Sequence, residues 1–162
     1  MAVNKHVEHV WVVPEDAANH DIANGFNLEP ALDATRFHVR KYPGGWHKVL
    51  MEFEQLHVDA LRKFTLRHLV LLIDFDDRVD ERTAQFKSAF PPGVADRVYV
   101  LGTRNEPESL RTNTKLTFEN IGKELAGACA SRETGLWSHE LLKHNAQELK
   151  RLMDAVRPFL FT

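Results

Sequence analysis

The sequence predicts one α/β domain: a mostly parallel, open sheet of about four strands with helices on both faces, followed by a C-terminal helix. Three observations point there. Residues 10–13, 69–73 and 98–101 are short, continuous apolar runs rich in β-branched residues, the pattern of parallel strands covered on both faces. Segments between them repeat apolar residues every three or four positions, the period of amphipathic helices. Strand and helix patterns then alternate along the chain and end in two successive helices. Such alternation suits parallel strands joined by right-handed crossovers.

Each element has its own signal. Residues 10–13 (Val-Trp-Val-Val) open the sheet, and residues 17–32 carry a helical pattern interrupted by Gly25 and Pro30. Over residues 35–41, Phe37 and Val39 alternate with Arg36, His38 and Arg40, as on an edge strand with one wet face. After Pro43-Gly44-Gly45, residues 46–64 set Trp46, Val49, Leu50, Phe53, Leu56, Ala60, Leu61 and Phe64 at helical spacing. Residues 79–90 form a shorter helix stopped by Pro91-Pro92-Gly93. The last two helices are read over residues 108–128 and 137–156, from Phe118, Ile121 and Leu125 and from Leu149, Leu152 and Val156.

Composition narrows the function classes. With 162 residues, 43% hydrophobic and 27% charged, the chain is one domain of globular type and not a disordered segment. The net charge of −2 excludes a globally basic nucleic-acid binder but leaves room for a local basic strip. Cys129 is the single cysteine, which excludes an intrachain disulfide and fits a reducing compartment. No apolar run approaches the ~20 residues of a membrane span. Residues 1–9 carry charge and histidine where a signal peptide would be apolar. The expectation is a cytoplasmic protein with no membrane partner.

Chemistry in an open α/β sheet gathers beyond the carboxyl ends of the strands. Glu15 and Asp16 follow the first strand, Asp74-Phe75-Asp76-Asp77 the third, and Arg104-Asn105-Glu106-Pro107-Glu108 the fourth. Carboxylates about 4 Å apart repel by on the order of 4 kcal/mol at an effective dielectric of ~20. Such a rim must bind a proton or a cation. Mg²⁺ suits it, because that ion takes hard oxygen ligands from one or two carboxylates plus phosphate. The alternative role of each acid is to cap the helix that follows it.

These residues carry a family resemblance. Glu15 after the first strand, Asp74-Phe75-Asp76 after the third, and the strand-helix order between them resemble the Toprim domain of topoisomerases, primases and related nucleases. Residues 105–110 (Asn-Glu-Pro-Glu-Ser-Leu) resemble the acidic segment after the next strand in stand-alone members. The resemblance covers about residues 7–128, leaving a helical extension over about 136–160. It implies Mg²⁺- or Mn²⁺-dependent phosphodiester chemistry on nucleic acid. Glu15 is then a general acid/base, Asp74 and Asp76 are catalytic metal ligands, and Glu15 and Asp77 lie within metal reach. It also implies second-metal or supporting roles for Glu106, Glu108 and Asp16, and an ATPase as partner. Asp16 stands where the family has glycine, a place where a negative side chain disfavours phosphate.

Other motifs fall away. His139-Glu140 lacks the zinc-site spacing, because His144 lies five residues on and about 140° around a helix. The chain has no phosphate-binding glycine loop and no nucleophile elbow. Arg36, Arg40 and Lys41 on the second strand, with Arg104, are the candidates for a nucleic-acid backbone track; the alternative for the strand cations is a charged edge that resists aggregation. Arg62, Lys63, Arg67 and His68 are read as a second basic group just before the third strand. Two alternatives to a nuclease follow: an interaction module of the same fold without turnover, and a small phosphate-ester hydrolase.

Overall fold

A computed structural model describes residues 2–162. Four parallel strands form one sheet: β1 (His9–Pro14), β2 (Phe37–Val39), β3 (Arg67–Asp74) and β4 (Val98–Thr103), in the spatial order β2-β1-β3-β4. The order reverses between β1 and β3, which are paired from His9↔Arg67 to Pro14↔Leu72. The sequence-based fold class is therefore the observed one. Arg67 and His68 lie inside β3 rather than before it, and Arg67 is buried.

Alternating side chains divide the core. Val10, Val12, Phe37, Val70 and Leu101 face α7 (Ala146–Leu160), together with α1 (Ala17–Phe26) and α6 (Phe118–Ser131). On the other face Val13, Leu69, Leu71, Ile73 and Val100 meet α2 (Trp46–Glu52), the π turn Phe53–His57 that continues into α3 (Val58–Lys63), and α4 (Val79–Ser88). The helix read over 108–128 is two, α5 (Pro107–Thr114) and α6, divided where Lys115 turns left-handed (φ 60°) and Thr117 caps α6 through the N–H of Asn120. The helix read over 137–156 begins at Ala146, after two short 3₁₀ turns. Among the described residues no helix is long and apolar enough to cross a membrane.

Gly25 does not break α1; it lets α1 and α6 touch. A Cβ at Gly25 would sit 2.0 Å from the carbonyl oxygen of Glu119, and one at Gly122 would sit 2.0 Å from that of Ile22. Alanine favours helix over glycine by about 1 kcal/mol, yet the backbones would have to separate. Gly25→Ala is expected to cost about 2–4 kcal/mol in urea unfolding; a neutral or stabilising result would contradict the close crossing.

Candidate metal centre

Parallel pairing of β1 with β3 sets two acids abreast. The Glu15 N–H donates to the Leu72 carbonyl at 2.8 Å, carrying the ladder one residue past β1 and level with the end of β3, where Asp74 lies. The Asp74 N–H in turn donates to Glu15 Oε1 at 3.4 Å. Asp16 begins α1 in extended conformation, and its Oδ1 accepts the N–H of Asn19 at 3.0 Å. Asn19 then links the acids: its Nδ2 donates to Asp16 Oδ1 at 3.1 Å and to Asp74 Oδ1 at 2.7 Å. One carboxylate oxygen from each of Glu15, Asp16 and Asp74 lies within 4.8 Å of the other two. Across the rim, the N–H groups of Gly44 and Gly45 donate to the Glu15 carbonyl at 2.9 and 3.1 Å. Their φ values of 95° and 134° favour glycine there.

Burial sets the protonation of this group. Glu15 and Asp74 are each 7% exposed. Desolvation pushes Glu15 up to about 7, opposed by hydrogen bonds from Asp74 and assisted by the charges of Asp16 and Asp76. Desolvation likewise pushes Asp74 up to about 8, opposed by the Asn19 hydrogen bond and assisted by the charges of Glu15 and Asp16. The two titrate as a pair. Near neutral pH they hold a proton between them, and a cation would displace it.

Asp76 and Asp77 stand outside this group. Both are in the left-handed region (φ 51° and 60°), pinned as their N–H groups donate to the carbonyls of Asn105 and Arg104. Asp76 Oδ2 accepts from Arg82 Nη1 at 3.1 Å, and Asp77 pairs with Arg104 at 3.5 Å. Of the expected metal ligands Glu15, Asp74, Asp76 and Asp77, the first two converge, together with Asp16, while Asp76 and Asp77 turn to arginines. Asp16, expected to hinder, joins Glu15 and Asp74 because capping α1 brings it to Asn19. Glu106 occupies the cap position of α5 and Glu108 its first turn; both are exposed, the placement that suits the helix dipole.

The strand cations do not make an open track. Arg36 pairs with Asp33 at 3.5 Å and donates to the Glu8 carbonyl, and Arg40 lies half-buried, 3.6 Å from Glu52. Lys41 and Arg104 remain exposed. Two site residues escape the sequence reading. Asn19 has a signal, since it stands three residues after a helix-capping aspartate. Arg82 lies one turn before Phe86 on the inner face of α4. It is 6% exposed, donates also to the Asp74 carbonyl at 3.1 Å, and stacks 4.0 Å from the centre of the Trp46 ring. No family model, curated protein or solved structure matches the chain.

Proposed function

We propose that the chain is a Toprim-like domain performing Mg²⁺- or Mn²⁺-dependent phosphodiester chemistry on nucleic acid. The observation that carries this reading is the convergence of Glu15, Asp16 and Asp74 at the carboxyl ends of adjacent parallel strands. An all-oxygen, carboxylate donor set fits Mg²⁺ or Mn²⁺ better than softer metals. When bound, such a cation supplies charge stabilisation at a phosphoryl oxygen. The chain's own residues do the rest. Glu15, at the rim beside the other two acids, is the residue to which the family resemblance assigns proton exchange with an oxygen of the reacting phosphate. Asn19 holds the Asp16 and Asp74 carboxylates at fixed angles. Arg82 positions Asp76, and Lys41 is the exposed cation available to a phosphate backbone, Arg104 being exposed but paired with Asp77 and Glu140. An ATPase is the partner class that the family resemblance implies.

The test combines melting curves with a cleavage assay. Divalent ion at about a hundredfold excess over its Kd should stabilise the protein by about 2.7 kcal/mol relative to chelator. Asp74→Ala should abolish both that shift and the nicking of plasmid or single-stranded DNA. Asp16→Gly should weaken metal binding and lower stability by only about a few tenths of a kcal/mol through loss of the cap. Absence of any metal shift sinks the proposal. One observation favours a second reading, an interaction module without turnover: Arg82 already occupies Asp76, the second acid of the Asp-x-Asp pair. A metal shift without cleavage of DNA or RNA, alone or with a candidate ATPase, selects that reading.

A further inference from the structure

A second polar site lies at the opposite end of the sheet. His9 and Arg67 are the first residues of β1 and β3 and sit side by side in register, as do Trp11 and His38. The guanidinium of Arg67 stacks 3.5 Å from the Trp11 ring centre and 4.9 Å from that of Phe64. Arg40 approaches Trp11 at 4.9 Å, and His57, delivered by the π turn, at 6.3 Å between ring centres. Seven buried side-chain atoms among the described residues make no hydrogen bond within the protein, and four of them belong to the residues around the Trp11 ring: Trp11 Nε1, His57 Nδ1, Arg67 Nη2 and Arg40 Nε, the last of which still faces Glu52 at 3.6 Å. Native folds rarely leave such atoms unpaired without a ligand, ion or water to meet them.

The charges here do not balance. His9 Nδ1 lies 2.7 Å from the Val7 carbonyl and therefore carries the proton, so Nε2 accepts from Arg67 Nε at 3.0 Å and the ring is neutral. His57 Nε2 lies 2.8 Å from Glu52 Oε2 and donates to it, which leaves Nδ1 as an acceptor. Burial lowers the pKa of His9, His38 and His57 alike, so none adds positive charge at neutral pH. Glu52 also meets Arg40, at 3.6 Å, and so is matched by that cation. Arg67 remains: 1% exposed, without a carboxylate, its pKa pushed down to about 10 by burial and then by Arg40. A buried guanidinium without a counter-charge is costly.

We propose that Arg67, Arg40, Trp11 and His57 form a binding site for a phosphate group. Arg67 Nη2 and Trp11 Nε1 are two donors for its oxygens, and Arg40, whose Nε faces Glu52 at 3.6 Å, adds its charge beside them. His57 Nδ1 is an acceptor for its remaining P–O–H, a hydrogen that sulfate and chloride lack. Trp11, His38 and Arg40 are only half-buried and lie next to the edge strand β2. The depth of Arg67 restricts the ligand to a small ion or a terminal phosphate.

Melting curves in chelator, at constant ionic strength and pH 7, test this apart from the acidic rim. Inorganic phosphate and a nucleoside monophosphate distinguish the free ion from a phosphomonoester, and a response to either supports the site. Millimolar phosphate is expected to raise the Tm more than sulfate or chloride. Trp11→Phe, which keeps an aromatic ring and removes the Nε1 donor, should weaken binding on the order of tenfold. Arg67→Met should abolish the response while melting no lower than wild type in phosphate-free buffer. If Arg67→Met fails to fold, Arg40→Gln and Trp11→Phe carry the comparison. The proposal is overturned by no response to either phosphate, by an equal response to sulfate or chloride, or by a response undiminished in these variants.

Discussion

Asp74→Asn is expected to stabilise the metal-free protein at pH 8 by roughly 2–3 kcal/mol and to change little at pH 4–5. The sign follows from the raised pKa values of Glu15 (about 7) and Asp74 (about 8). The folded state binds more protons than the unfolded chain, whose carboxyl groups titrate near pH 4. Stability from these groups is therefore complete at low pH and is lost as pH rises from about 4 to 8. The amide at position 74 removes one ionisation and keeps the oxygen that accepts from Asn19 Nδ2. At about 2–4 °C per kcal/mol for a chain of this size, the gain in Tm at pH 8 is roughly 5–10 °C. Melting curves of both proteins over pH 4–8 in chelator give the comparison; parallel curves would contradict it. The same substitution should cost the divalent-ion response.

Gly102→Ala is expected to be the most damaging small change in the sheet. Gly102 pairs with Ile73, immediately before Asp74, and a Cβ at Gly102 would lie 1.7 Å from the Ile73 carbonyl oxygen. That atom belongs to the β3 backbone and cannot rotate away. Asn145, 2% exposed, grips the other side: Gly102 N–H donates to Asn145 Oδ1 at 3.1 Å, and Asn145 Nδ2 donates to the Gly102 carbonyl at 2.9 Å. With one side fixed by β3 and the other by Asn145, the strand has no direction in which to yield. A loss of about 3–5 kcal/mol is expected, a large share of a domain's total stability. Urea unfolding checks it, and a cost under about 1 kcal/mol would show that β4 shifts freely.

Strands β1, β3 and β4 were legible because burial on both faces writes itself as unbroken apolar runs, and β2 because its apolar residues alternate with polar ones. Their order placed Glu15 and Asp74 on one rim. What escaped was tertiary. The 108–128 helix reads as continuous because no glycine marks its break; Lys115 takes the left-handed turn itself. Gly25 looks like a helix breaker until α6 is packed against it. The π turn that carries His57 leaves the apolar period almost unchanged. At the rim, the Asp-x-Asp spacing suggested that Asp74 and Asp76 act together, but a strand end and the turn after it aim successive acids differently. Arg82, distant in sequence from Glu15, takes the Asp76 carboxylate as its partner, and Asp76 is not among the acids that converge.

The central claim is that Glu15, Asp16 and Asp74 hold one divalent cation in exchange for a proton. Calorimetric titration of Mg²⁺ or Mn²⁺ into the full chain at pH 7, in two buffers of different ionisation enthalpy, counts that proton directly. One site is expected, releasing on the order of one proton per ion because the raised pair must ionise to bind. Asp74→Asn should lose the site. Binding whose heat is independent of the buffer, binding unchanged in Asp74→Asn, or no binding at all would contradict the claim.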